Sequence, residues 1–158
     1  YPWVIDVKKG IFKFGPSKTK TYRKNIVLSS QDINRNEVLD FIRYFIVLQN
    51  DKQLKKIMKL YVPKVDYLNH GNITRENIST YKENYFTEWN KIQVVMLGLN
   101  EVKDVSGHPV QKVVNYCVGV HLCDEDKACK RERYNVTLKL EKVDRTIKII
   151  SEEVKYLD

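Results

Sequence analysis

Six glycines, four prolines, three cysteines and three histidines are all that 158 residues contain of these types, and their scarcity rules out several chemistries. With so few glycines there is no glycine loop to cradle a phosphate, and no GxSxG turn to expose a serine nucleophile. Cys117, Cys123 and Cys129 show no CxxC spacing and no neighbouring pair of histidines, so no zinc site is expected. His70 and His108 fall in turns without a second ligand nearby. No apolar run approaches the ~20 residues that a membrane-spanning helix needs. The start at Tyr1-Pro2-Trp3 has neither an initiator methionine nor a signal-peptide pattern, which is read as a piece of a longer protein and leaves open whether a targeting signal, a membrane anchor or a catalytic domain lies upstream. Nucleotide and hydrolase chemistry are disfavoured, and no cofactor or metal is expected.

What is present describes one domain. An apolar content of 42% over this length supports a single core. Lys and Arg number 28 against 20 Asp and Glu, a net charge of +8 that favours anionic surfaces in general without naming one. Lys8, Lys9, Lys13, Lys18, Lys20, Arg23 and Lys24 crowd the beginning, and Lys127, Lys130, Arg131 and Arg133 form a second group. Neither is interleaved with aromatics as a nucleic-acid surface would be, so a solvated basic face is the preferred reading and nucleic acid is not an expected partner. Residues 1–30 read as an extension or linker of short β-prone pieces, with Trp3, Phe12 and Phe14 available to pack on residues 31–158, the domain proper.

Three helices are expected first. Asn34 with Glu37 three residues on makes a capping box, and Val38, Phe41, Ile42, Phe45 and Leu48 form one stripe ending near Asn50. Asp51 is expected to cap a second helix carrying Leu54, Ile57, Met58 and Tyr61, terminated by Pro63. The third begins at Thr74, with Glu76 in its first turn and Ile78, Tyr81, Tyr85 and Trp89 at helical spacing.

From Lys91 the period becomes two, with strands expected over 91–103, 110–123, 129–142 and 145–156 joined by short turns. The middle hairpin sets its own register. Val114, Tyr116, Val118, Val120 and Leu122 share one parity, and Tyr134, Val136, Leu138 and Leu140 share the same one. A symmetric connection pairs Val118 with Tyr134 and places Cys123 opposite Cys129, close enough for a disulfide that leaves Cys117 free. Such a bridge implies an oxidising compartment, periplasmic or extracellular; three ordinary thiols in a cytoplasmic protein are the alternative.

A short strand at Val65-Asp66-Tyr67 between the second and third helices, followed by Gly71, Thr74-Arg75-Glu76, Tyr85-Phe86 and Trp89, resembles the nuclear-transport-factor-2-like (cystatin-like) superfamily. The resemblance spans about 34–157 and includes a similarity to bacterial envelope accessory domains. It implies an α+β cone in which three N-terminal helices pack on a curved antiparallel sheet, with a pocket between helices and sheet and dimerisation through the convex sheet face. Ketosteroid-isomerase-like members place an acid inside the cone; the inward positions of the middle strands here hold none, and Asp66 is the one well-placed acid.

The candidate pocket therefore comprises Tyr44, Asp66, Tyr67, Tyr81, Tyr85 and Trp89. The leading function is a non-catalytic accessory domain of a bacterial extracytoplasmic protein. Its ligand would be a glycan, a small apolar or an anionic molecule, or its partner an upstream domain of the same protein or a second copy. The alternative is an isomerase or dehydratase with Asp66 as general base and Tyr67 as hydrogen-bond donor. Each site has a plainer reading as well: Asp66 as a solvated strand carboxylate, Tyr81, Tyr85 and Trp89 as packing aromatics. His121 shares the odd parity of Cys117 and Cys123, away from the expected pocket.

Overall fold

A computed structural model describes residues 32–157. The readings on the N-terminal stretch, including Trp3, Phe12, Phe14 and its lysines, lie outside the described residues. Helix α1 (Arg35–Asn50) opens with the expected reciprocal cap: Asn34 Oδ1 accepts from Glu37 N and Glu37 Oε1 accepts from Asn34 N, each at 3.0 Å. Its stripe from Val38 to Leu48 is buried against the sheet. At its other end Asn50 donates to the Val94 carbonyl and accepts from the Val94 amide, tying the helix to the edge strand of the sheet.

The second helix differs from expectation. Asp51 is the C-cap of α1, its amide donating to Val47 O, and α2 (Leu54–Met58) starts after Gln53 with no side-chain cap. Tyr61 belongs to strand β1 (Tyr61–Tyr67), and Pro63 lies within that strand. It is tolerated because the pairing of β1 with its neighbour shifts between Tyr61 and Asp66, leaving Pro63 outside both ladders. Lys52, with φ 52°, sends its ammonium to the Phe86, Trp89 and Asn90 carbonyls at 2.8, 2.6 and 3.1 Å. These are the exposed carbonyls at the end of helix α3 (Arg75–Glu88), whose N-cap is Thr74 as expected.

Between β1 and α3 lies β2 (Asn72–Thr74), and after α3 run β3 (Lys91–Val105), β4 (His108–Cys123), β5 (Cys129–Val143) and β6 (Thr146–Leu157). The sheet order is β2-β1-β6-β5-β4-β3. The last four strands form the expected antiparallel meander, with Val118 opposite Tyr134 and Cys123 opposite Cys129. The sheet is not wholly antiparallel, however: β1 lies parallel to β6. The chain reaches this edge only after a long excursion through α3 and the meander, which permits a parallel neighbour where a tight hairpin would not. Bulges in β3 and β6 interrupt the ladders and accompany the bend of an α+β sheet that remains open.

Even positions of β4 and β5 face the helices: Val114, Tyr116, Val118, Val120, Leu122, Val136, Leu138 and Leu140 are all buried. The opposite face is polar where Asn100 and Asn115, and Asn115 and Thr137, hydrogen-bond across strands. A disulfide joins Cys123 and Cys129, with Cα atoms 4.1 Å apart, and Cys117 is free. It closes a loop with a sequence separation of 6, for which loop entropy gives a stabilisation of about 2 kcal/mol. Reduction should lower the unfolding free energy measured by urea denaturation by that amount while the far-UV circular dichroism of the folded state stays unchanged; a larger loss, or collapse of the spectrum in dilute buffer, would show that the bridge supports more than its own hairpin.

Candidate functional site

The interior of the sheet holds a polar centre that the sequence reading did not assign. Glu152 on β6 is 7% exposed, and the Tyr61 hydroxyl donates to its Oε1 at 2.5 Å. Phe45 meets Tyr61 edge-on, Tyr61 meets Tyr67 in the same way, and the Lys82 ammonium lies 5.7–5.9 Å from the three ring centres. Burial, and then the nearby Glu152 charge, push the phenols of Tyr61, Tyr67 and Tyr116 well above the usual tyrosine range. All three are therefore neutral hydroxyl donors at physiological pH.

Asp66 is not part of this centre. Successive strand residues point to opposite faces, and Val65 and Tyr67 are the buried pair, so Asp66 between them is exposed. Asp66 and Tyr67 on one strand do not line a common pocket, and the acid buried beside Tyr61 is Glu152. The other expected pocket residues separate too. Tyr81 is exposed and stacks on His70 at 4.4 Å, with Tyr67 beyond. Tyr85 is half-buried beside Phe86, its hydroxyl pushed up to about 12 by burial and then by the Glu132 and Glu88 charges. Trp89 leaves the helix as its C-cap in extended conformation and lies under the Lys130 ammonium at 5.0 Å. Tyr44 packs on the core from α1. The ring contacts thus run from Tyr81 to β1, and not along α3 to Tyr85 and Trp89 as one ridge.

A groove of about 490 Å³ occupies the other face of the sheet, across β3 to β6. Its lining follows from two cross-strand rows: Gln93, His121 and Arg131 pair in one, and Val95, Gly119, Arg133 and Leu157 in the next. Gly119 supplies the floor because it has no side chain, and the Leu97 side chain leans over it from the β3 bulge, 3.6 Å from where a Cβ would stand. Glu132 borders the groove through its place in β5, but its even parity turns the carboxylate to the helix face, where the Tyr134 hydroxyl at 2.8 Å and Lys130 at 3.1 Å engage it. The groove therefore offers an apolar floor flanked by two guanidinium groups and an imidazole. Odd parity in β4 and β5 was the signal available in the sequence; the glycine within it marked where the depression would form.

No protein-family model matches this chain. No curated protein matches it. Among solved structures, one from Xanthomonas campestris, described as a calcium/calmodulin dependent protein kinase II association domain, is 21% identical, covers 80% of this chain and 89% of its own, and superposes with a TM-score of 0.68. A nuclear transport factor 2 (NTF2-like) superfamily protein from Salmonella enterica is 11% identical over 78% of this chain and 90% of that one, with a TM-score of 0.66. A type 2 hexachlorocyclohexane dehydrochlorinase, LinA, is 11% identical over 78% and 85%, also at 0.66. At such identities the likeness concerns architecture, and it is consistent across these chains: the protein has the nuclear-transport-factor-2-like, cystatin-like fold.

Proposed function

We propose that this domain is a binding module, without chemistry of its own, that takes a small amphiphilic anion in the groove on the outer face of its sheet. The observation that carries the reading is an apolar glycine floor with Arg131, Arg133 and His121 in the same lining. Arginine matches a carboxylate or sulfonate in a bidentate manner, while Val95 and Leu97 accept the apolar body. The basic balance of the chain, +8, adds long-range attraction for the same class of ligand. An accessory role in an extracytoplasmic envelope protein is compatible with the Cys123–Cys129 bridge.

Anilinonaphthalene sulfonate, which is both apolar and anionic, is a direct probe. Arg131→Glu should weaken its binding at least tenfold, and added salt should weaken it in the wild type. Gly119→Phe should abolish binding by filling the floor; it is expected to fold, because the nearest atoms to a Cβ there all belong to the Leu97 side chain, at ordinary contact distance, and the backbone is not left-handed. Equal fluorescence from the wild type and Gly119→Phe would remove the groove as the site. Light scattering belongs to the same experiment: a dimer that excludes the probe would mean that a second copy covers this face.

One observation favours a second reading, a general acid–base isomerase or dehydratase. It is the inward Glu152 carboxylate with the Tyr61 hydroxyl at 2.5 Å and Tyr67 beside it, in a fold that the dehydrochlorinase also has. Glu152 would serve as base and the neutral tyrosines as donors. Turnover of an elimination or isomerisation substrate that falls by about 10²–10⁴-fold in Glu152→Gln, with probe binding in the groove intact, would establish it over the first. Against it stands the burial of Tyr61 and Tyr116, at 0% and 2% exposure.

A further inference from the structure

The end of the β4–β5 hairpin carries a third feature, which shares His121 with the groove. Cys123 and Cys129 face each other across the hairpin, and His121, two residues before Cys123, projects to the same face. His121 Nε2 is 3.7 Å from Cys123 Sγ, and the two sulfurs and the imidazole nitrogen all lie within 4.8 Å of one another. In tetrahedral zinc coordination, with Zn–S of about 2.3 Å and Zn–N of about 2.0–2.1 Å, neighbouring ligand atoms stand roughly 3.5–3.8 Å apart. The spacing already present is thus that of one edge of such a site.

We propose that reduction of the Cys123–Cys129 disulfide converts this corner into a divalent zinc site with ligands Cys123, Cys129 and His121 and one open position. The conversion balances with a dithiol reductant. Its thiolate attacks the exposed Cys129 sulfur, the S–S bond breaks with Cys123 leaving, and the mixed disulfide then closes within the reductant, which loses two electrons as the protein gains two thiols. Zn²⁺ displaces the two thiol protons into solvent. Two thiolates cancel the charge of the ion, so the basic neighbours Lys91, opposite Cys123, and Arg131, opposite His121, face a neutral centre. In the oxidised protein the sulfurs are bonded to each other and the site does not exist. Metal occupancy at the hairpin end is thereby gated by redox state, and because His121 also lines the groove, the open coordination position borders it.

The test uses the whole chain, prepared oxidised and reduced, with Zn²⁺ in equilibrium dialysis and Co²⁺ as the spectroscopic probe. Reduced wild type should retain one equivalent of zinc, show thiolate-to-cobalt charge-transfer absorption, and melt at a higher temperature with zinc than without it. The oxidised protein should do none of these. Cys129→Ser should lose the charge-transfer band and most of the affinity, His121→Ala should weaken zinc at least tenfold while remaining folded by circular dichroism, and Cys117→Ser should behave as wild type. Zinc retained equally by oxidised and reduced protein, equal affinity in His121→Ala and wild type, or loss on Cys117→Ser alone would each overturn the assignment.

Discussion

Replacing Lys142 with methionine lowers the unfolding free energy by about 3–5 kcal/mol. The ammonium is 3.0 Å from Glu37 Oε2 and donates to the Asp32 carbonyl at 3.2 Å, and the two side chains are only 3% and 9% exposed. Glu37 has a second duty, since its other oxygen caps α1. Removing the lysine leaves a carboxylate with little solvent access and no cation, and that desolvation is the source of the loss. Typical domains have about 5–15 kcal/mol in all, so the single variant should melt far below the wild type. The double variant Glu37→Gln with Lys142→Met removes both charges, keeps a side chain that can complete the capping box, and should recover most of the loss. Urea denaturation of the two variants at neutral pH decides the matter; a single variant within 1 kcal/mol of wild type would mean that the pair is effectively solvated.

The second large effect appears in alkali. Tyr61, Tyr67 and Tyr116 have folded-state pKa values raised above the ordinary value of about 10 by burial and by Glu152. A raised folded pKa means that the contribution to stability is complete below pH 10 and declines as pH rises above it, because the unfolded chain releases protons that the folded chain retains. Each such proton is worth about 1.4 kcal/mol per pH unit, so three core phenols together remove about 4 kcal/mol per unit. Tyrosinate absorbance from these three should therefore appear only with the loss of far-UV dichroism, a few units above pH 10. Tyr61→Phe should reduce the slope by about one proton. If every tyrosine ionised near pH 10 with the dichroism intact, the phenols would not be buried as described.

Both expectations depend on residues whose placement was only partly legible. Lys142 has the same even parity as Leu138 and Leu140, so its inward direction followed from the strand period; its partner, 105 positions away, did not. Glu152 was harder still. Extending the register of the β5–β6 turn, where Val143 pairs with Thr146 and Leu140 with Ile149, would set Leu138 opposite Ser151 and turn Glu152 outward. The bulge between Lys139 and Leu140 adds one residue on β6, pairs Leu138 with Glu152 instead, and brings the carboxylate to Tyr61. Asp66 illustrates the reverse case, because the alternation of Val65, Asp66 and Tyr67 already implied that only one of Asp66 and Tyr67 faces inward.

Short-range stereochemistry settled the elements: the Asn34–Glu37 cap, Thr74 at the head of α3, the shared parity of β4 and β5, and the opposition of Cys123 to Cys129 are all encoded within a hairpin or a turn. Tertiary packing alone decided that β1 lies parallel to β6, that Lys52 closes α3, and that Glu152 meets Tyr61. Caps and periods act over a few residues and carry their information locally. A bulge, a parallel edge or a buried ion pair is selected by the free energy of joining distant segments, and its cause is spread over the whole chain.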